Sequence, residues 1–158
     1  MMHEEKTNVM RIIEQRKARY APHYYDASQA LSGEEVAAAL GEEKERVFKT
    51  LVTVAKSRRN YVFMIPVAQE LDLKKAAAAV GEKALDMLPQ KELLPLTGYV
   101  HGGCSPIGMK KFFQTTLHCT AADFETIIFS GGKVGTQVEM PLTELQKVIP
   151  LQLKDIVM

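Results

Sequence analysis

With 158 residues, 46% of them hydrophobic, the chain can bury one full core and is too short for two ordinary domains, so a single domain over residues 1–158 is expected. A net charge of +1 excludes a strongly basic overall field, and contact with nucleic acid has to come from local clusters. No stretch reaches the ~20 apolar residues of a membrane span, the charged start Met1-Met2-His3-Glu4-Glu5-Lys6 lacks a signal peptide's apolar segment, and two cysteines, Cys104 and Cys119, are too few for a disulfide framework; a cytoplasmic, soluble protein is expected.

In chain order, Val9, Ile12, Ile13 and Arg16 recur at helical spacing over residues 7–17, with Thr7 or Asn8 available as cap. Residues 20–27 are rich in aromatics and hold Pro22, which suits an extended segment. Ser32-x-x-Glu35 is a capping box and predicts a helix that Gly41 ends. The β-branched and aromatic runs 47–54 and 61–67, joined by a polar tip, predict a hairpin. Asp72 caps an Ala-rich helix that stops at Gly81, and residues 89–94 have room for a helical turn before Pro95 breaks it. Short strands are expected at 99–100, 115–119 and 126–130; a turn at 131–133 leads into a strand at 134–140, and a last helix begins near Pro141 and buries Leu145, Val148 and Ile149. Helices and strands mixed without regular βα alternation predict an α+β fold.

The segment from Thr97 to Lys111 holds four glycines and a proline, which let backbone N–H groups converge on one point as an anion site requires, or simply turn a corner. It is neither a dinucleotide fingerprint nor a Walker loop. Lys49 interrupts an apolar strand on the face of Val47, Leu51 and Thr53, and periodicity leaves open whether that face is buried. Cys104 with His101 three residues earlier could be a nucleophile and base, but no third orienting group is recognisable and a small buried thiol is the commoner outcome. His118 and Cys119 adjoin on a strand, face opposite ways and do not make a metal pair. Basic clusters stand at Lys56, Arg58 and Arg59, at Lys74-Lys75 and at Lys110-Lys111.

Several segments together resemble the YbaK family, bacterial deacylases related to the editing domain inserted in prolyl-tRNA synthetases. They are residues 48–51, Pro66-Val67 with 71–76, Thr97-Gly98-Tyr99, the Gly-x-x-x-Pro loop of residues 102–111, and Ser130-Gly131-Gly132-Lys133 with Gly135, in family order from about Tyr24 onward. The resemblance implies a mixed, barrel-like sheet flanked by helices with a groove for the acceptor end of tRNA, and prolyl-tRNA synthetase as a partner. It implies a catalytic set of Lys49, Gly102, Gly103, Ser105 and Pro106, and substrate contacts from Thr50, Tyr24, Ser32, Cys104, Ser130, Gly131 and Gln137. The Lys49 ammonium would hold the 3′ end or orient the ester, and amides of residues 102–105 would stabilise the carbonyl oxygen. The implied chemistry is substrate-assisted: the cysteinyl thiol attacks its own ester and leaves as a thiolactone, with no enzyme nucleophile, metal or cofactor. Ser32 and Gln137 stand where family members commonly carry an aromatic and an acidic residue. The expected function is removal of cysteine from Cys-tRNA(Pro), with Cys-tRNA(Cys) as a further substrate; a non-catalytic tRNA- or nucleotide-binding module on the same fold is the alternative.

Overall fold

Cap chemistry sets the helix boundaries in the computed structural model, which describes residues 6–29 and 31–158; the charged start at residues 1–5 lies outside the described residues. The Thr7 hydroxyl accepts the Met10 amide and opens α1 (Asn8–Gln15), which buries Val9, Met10 and Ile13. After β1 (Ala21–Tyr24), Ser32 and Glu35 satisfy each other's amides in the expected box, opening α2 (Gly33–Leu40), and Gly41 closes it at φ +69°. β2 (Phe48–Ala55) and β3 (Asn60–Pro66) form the expected antiparallel hairpin. Asp72 caps α3 (Leu73–Val80) and Gly81 ends it, as its left-handed φ of +76° permits.

The middle of the chain differs from the pattern expected of it. A three-residue β4 (Leu85–Met87) pairs with β2, too short to register as periodicity. Pro95 does not end the following helix but lies inside α4 (Leu93–Thr97), in its first turn, where a missing N–H costs little. No strand forms at 99–100; the Tyr99 hydroxyl donates to the Ile107 carbonyl and the chain turns there. β5 (Thr115–His118), β6 (Ile127–Lys133), β7 (Thr136–Met140), α5 (Leu142–Val148) and β8 (Gln152–Lys154) complete the order. The reversal between β6 and β7 falls at Val134-Gly135 rather than at 131–133. Gly131 and Gly132 instead form a bulge inside β6, where a Cβ on Gly131 would lie 2.9 Å from Thr136 Cγ2.

Two sheets result, an antiparallel one ordered β1-β7-β6 and a mixed one ordered β4-β2-β3-β5-β8, with β3, β5 and β8 parallel. They meet at a parallel bridge between Val47 and Ile128. This is the expected α+β fold with a mixed sheet, and among the described residues the sheets do not close into a full barrel. The main core packs Phe48, Met64, Leu117, Phe129 and Met140 against α1 and α5. Alternation sends Phe63 and Ile65 to the opposite face, where Ala76 and Ala77 of α3 cover them.

A half-buried ion network ties the antiparallel sheet to the turn before β2. Arg46 meets Glu42 at 3.1 Å and Glu139 at 2.6 Å, and His23 Nε2 lies 2.7 Å from the other Glu139 oxygen. Burial raises the Glu139 pKa, but hydrogen bonds from Thr126 and His23 and the Arg46 charge outweigh it and hold the carboxyl below its ordinary value. A depressed folded-state pKa means stability present above the unfolded carboxylate value and lost as pH falls through the folded one. Glu139→Gln is therefore expected to cost about 2 kcal/mol, less than a fully buried pair, and to lower Tm by roughly 4–8 °C for a chain of this size. Thermal melts from pH 7 down to the carboxylate range check this, with a shallower acid loss in the variant; equal melting of the two proteins at every pH contradicts it.

Candidate functional site

A cavity of about 730 Å³ opens between α2, the start of β2, the loop at 101–104 and the β6–β7 hairpin, within the range of small-ligand pockets. Lys49, Thr50, Ser32, Gly102, Cys104, Ser130 and Gln137 all line it. The cavity wraps round the first residues of β2, so Lys49 and Thr50 both reach it although strand neighbours face opposite ways. Lys49 is half-buried and makes no ion pair among the described residues. The Thr50 hydroxyl is buried with no hydrogen-bond partner among them, a shortfall of about 1–3 kcal/mol. A cation without a counter-charge on a cavity wall is completed by a bound anion or carbonyl oxygen.

Across the cavity, Ser130 and Gln137 are paired residues of β6 and β7. Ser130 is held by the bulge, its Oγ accepting the Gly132 amide at 3.1 Å. Ser32 keeps both roles, capping α2 while lining the wall. An apolar rim of Leu31, Val36, Val47, Val67 and Leu93 completes the lining. Sequence periodicity could not mark those residues, since they serve equally as core.

The other expected residues lie behind this surface. Gly103 does not line the cavity; a Cβ there would stand 3.0 Å from the Val134 amide, so glycine is what lets the loop rest on the hairpin tip. Its own N–H donates to the Val100 carbonyl at 3.0 Å and is not available to a substrate oxygen. Ser105 is fully buried, its hydroxyl accepting the Ile107 amide, and Pro106 is buried beside it. Gly131 faces Thr136 across the bulge. These four are the footing of the site, while Gly102 at φ +87°, His101 and Cys104 face the cavity. Tyr24 does not line it but a second, adjoining cavity, and Tyr25 lines the main one. Two consecutive tyrosines are equivalent to any sequence pattern; only the end of β1, where Tyr24 pairs with Thr136, separates them.

Burial pushes the Cys104 thiol up to about 12, so it is protonated at neutral pH and a poor nucleophile. His118 is buried at the end of β5 and Cys119 is exposed; the strand expected over 115–119 stops at His118 and Cys119 opens a 3-10 turn, so the two are separated by the end of the strand rather than by its alternation. Burial holds His118 below its ordinary value against the pull of Asp155, and its Nδ1 faces the Ile156 amide, which is the pattern of a neutral acceptor. Ligand atoms of His23, Glu42 and Glu139 lie within 4.8 Å of one another, but the Arg46 guanidinium is already bonded to both carboxylates. Of the basic clusters, Lys56, Arg58 and Arg59 stand at the far end of β2 from Lys49, Lys75 pairs with Asp155, and Lys110 Nζ donates to the Pro95 carbonyl.

A family model described as the aminoacyl-tRNA editing domain matches residues 27–148. A protein of Enterococcus faecalis named as a Cys-tRNA(Pro)/Cys-tRNA(Cys) deacylase, EbsC, is 51% identical over 138 residues, which is 87% of this chain and 84% of that protein. The fold is shared by solved structures, of which two are representative. One, described as a trans-editing enzyme for prolyl tRNA synthetase, has a TM-score of 0.81 at 24% identity, over 96% of this chain and 98% of that one. The other, hypothetical protein APE2540, has a TM-score of 0.86 at 20% identity, over 95% and 99%.

Cys104 and Cys119 should separate under iodoacetamide at neutral pH. Mass mapping is expected to find Cys119 alkylated first and Cys104 only once the chain is unfolded; equally fast labelling of native Cys104 contradicts the buried, protonated thiol.

Proposed function

Because the chain belongs to the aminoacyl-tRNA editing domain family, we propose that it removes cysteine from mischarged Cys-tRNA(Pro), and from Cys-tRNA(Cys), with the substrate's own thiol as nucleophile. The observation that carries this reading is that Lys49, which forms no ion pair among the described residues, lines one cavity together with Thr50, Gly102 and Cys104. The terminal adenosine and its cysteinyl ester would enter between α2 and the β6–β7 hairpin.

The sulfur attacks the ester carbonyl carbon while the thiol proton is released. The carbonyl oxygen gains negative charge, and donors already fixed at that place lower the barrier because nothing has to reorganise. Lys49 and Thr50 are the donors of this reading, with amides at Gly102 and Cys104; the Gly103 amide is excluded by its bond to Val100. Collapse then breaks the bond to the ribose oxygen, which takes up a proton. The products are tRNA with a free 3′ hydroxyl and cysteine thiolactone, which water opens to cysteine. The substrate brings its nucleophile, so the protein's contribution is to position thiol and carbonyl and to stabilise charge. Selectivity follows from the same chemistry: an alanyl or prolyl ester has no thiol, and a seryl ester has only a weaker nucleophile.

Gly103, Ser105 and Pro106 belong to this reading as residues that set the loop, and Ser130, Ser32 and Gln137 as walls of the pocket. Prolyl-tRNA synthetase, the enzyme that would generate Cys-tRNA(Pro), is the proposed partner, and that substrate sets the work in the cytoplasm. Among the described residues no helix is long and apolar enough to cross a membrane.

The test is release of amino acid from Cys-, Ser- and Ala-tRNA(Pro). Cysteine release is expected to dominate. Lys49→Ala should lower kcat/KM by about 100-fold, the loss typical of one oxyanion donor, and Thr50→Val by about tenfold, near the cost of one hydrogen bond to a charged group. Tight tRNA binding with no release from any ester, or full turnover in Lys49→Ala, contradicts the proposal.

A further inference from the structure

Beside the main cavity lies a second one of about 550 Å³, lined by Tyr24, Tyr25, Asp26, Ala27, Ser28, Lys133, Val134, Gly135 and Thr136. The two share Tyr25, Ala27, Ser28 and Val134, so a chain leaving one meets the other at once. The second cavity has an unusual lining for a surface hollow. Tyr24 is a large aromatic 39% exposed at the end of β1, presenting a ring that no core cluster uses. Lys133 is exposed at the end of β6 and forms no ion pair among the described residues. Asp26 is fixed by Ser28, whose amide and hydroxyl both donate to Oδ1, at 2.9 and 2.7 Å, while the other carboxylate oxygen takes part in neither bond.

An aromatic face, a cation and an oriented carboxylate acceptor do not suit a simple anion, which the carboxylate would repel. They suit a group with a flat base, a phosphate and an amine. A cytidine nucleotide is such a group: rings stack on tyrosine, lysine contacts phosphate, and a carboxylate accepts from the cytosine amine. Transfer RNA ends in two cytidines before the terminal adenosine, and the reading above seats that adenosine and its ester in the main cavity.

Resting on that reading, we infer that the second cavity holds the penultimate cytidine of the tRNA 3′ end, with its base on Tyr24, its amine toward Asp26 and its phosphate toward Lys133. The nucleotide then fixes the direction in which the acceptor end crosses the protein, and makes recognition of the end depend on a dinucleotide rather than on adenosine alone. Loss of the stacked ring should cost about tenfold in substrate preference.

The experiment compares two small substrates, the cysteinyl ester of adenosine and the cysteinyl ester of cytidylyl-adenosine, in the wild-type protein, Tyr24→Ala, Lys133→Ala and Tyr24→Phe. The quantity read is the ratio of kcat/KM for the dinucleotide to that for the nucleoside. Wild-type protein is expected to favour the dinucleotide, Tyr24→Ala and Lys133→Ala each to reduce the ratio by about tenfold, and Tyr24→Phe, which keeps the ring, to retain it. Cysteine release from both esters without any preference, or a preference that both alanine variants keep, overturns the inference and leaves the deacylase reading standing. Release from neither ester or from Cys-tRNA(Pro) overturns both.

Discussion

The parallel bridge between Val47 and Ile128 is the constraint on which the site depends, because it is where the two sheets meet. Two residues after it on β2 stands Lys49, and two residues after it on β6 stands Ser130. The joint therefore fixes, within one strand spacing, which side chains can face one another across the gap. It is itself buried: Val47 and Ile128 pack with Ala37 and Val67, and Leu40 of α2 closes over them. The helix whose N-terminus carries Ser32 is thus seated on the hinge of the two sheets, and the cavity is the space left between them.

A site of this kind has costs that the fold absorbs. Lys49 is half-buried without a counter-charge, and Thr50 keeps a buried hydroxyl without a partner. Neither is a feature that packing would select, since an apolar residue at either position avoids the penalty. The rigid parts lie around them. Gly103 lets the loop approach the Val134 backbone, Gly131 and Gly132 let β6 bulge so that the Ser130 hydroxyl turns to the Gly132 amide, and Arg46 clamps β7 to the turn before β2. Preorganisation of this sort is what a reaction needs when the substrate supplies its own nucleophile and the protein supplies only orientation and charge.

Local chemistry made much of the fold legible before any coordinates. The Thr7 cap, the Ser32–Glu35 box, the Asp72 cap and the Gly41 and Gly81 ends each act within one turn, so sequence neighbours suffice to recognise them. The short strands β4 and β8 carry no such signal, as their pairing partners are distant and three residues show no period. In the site, Lys49 and the glycine loop stood out through residue type, and Thr50 only through the family resemblance. Periodicity left the face of Lys49 undecided, and the cavity shows why: it curls round the strand end and takes residues from both faces. Gly103, Ser105 and Pro106 were recognised as a loop and Gly131 as part of a turn rather than the bulge it forms, and a glycine that allows close backbone approach reads the same in sequence as one that presents an amide to a ligand. The exchange of Tyr24 for Tyr25 on the main wall has a similar cause, a one-residue register that only the pairing with β7 decides.

The central claim is that Lys49 and the Gly102–Cys104 turn grip one aminoacylated adenosine together. The most direct measurement is nuclear magnetic resonance of the protein titrated with 3′-cysteinylamino-3′-deoxyadenosine, in which a stable amide replaces the ester. The account predicts that the Lys49 ε-methylene, the Thr50 methyl and the Gly102 and Cys104 amides shift together along one binding curve. Saturation of the protein with Lys49 and Thr50 unmoved, and shifts gathered on another face, contradicts it.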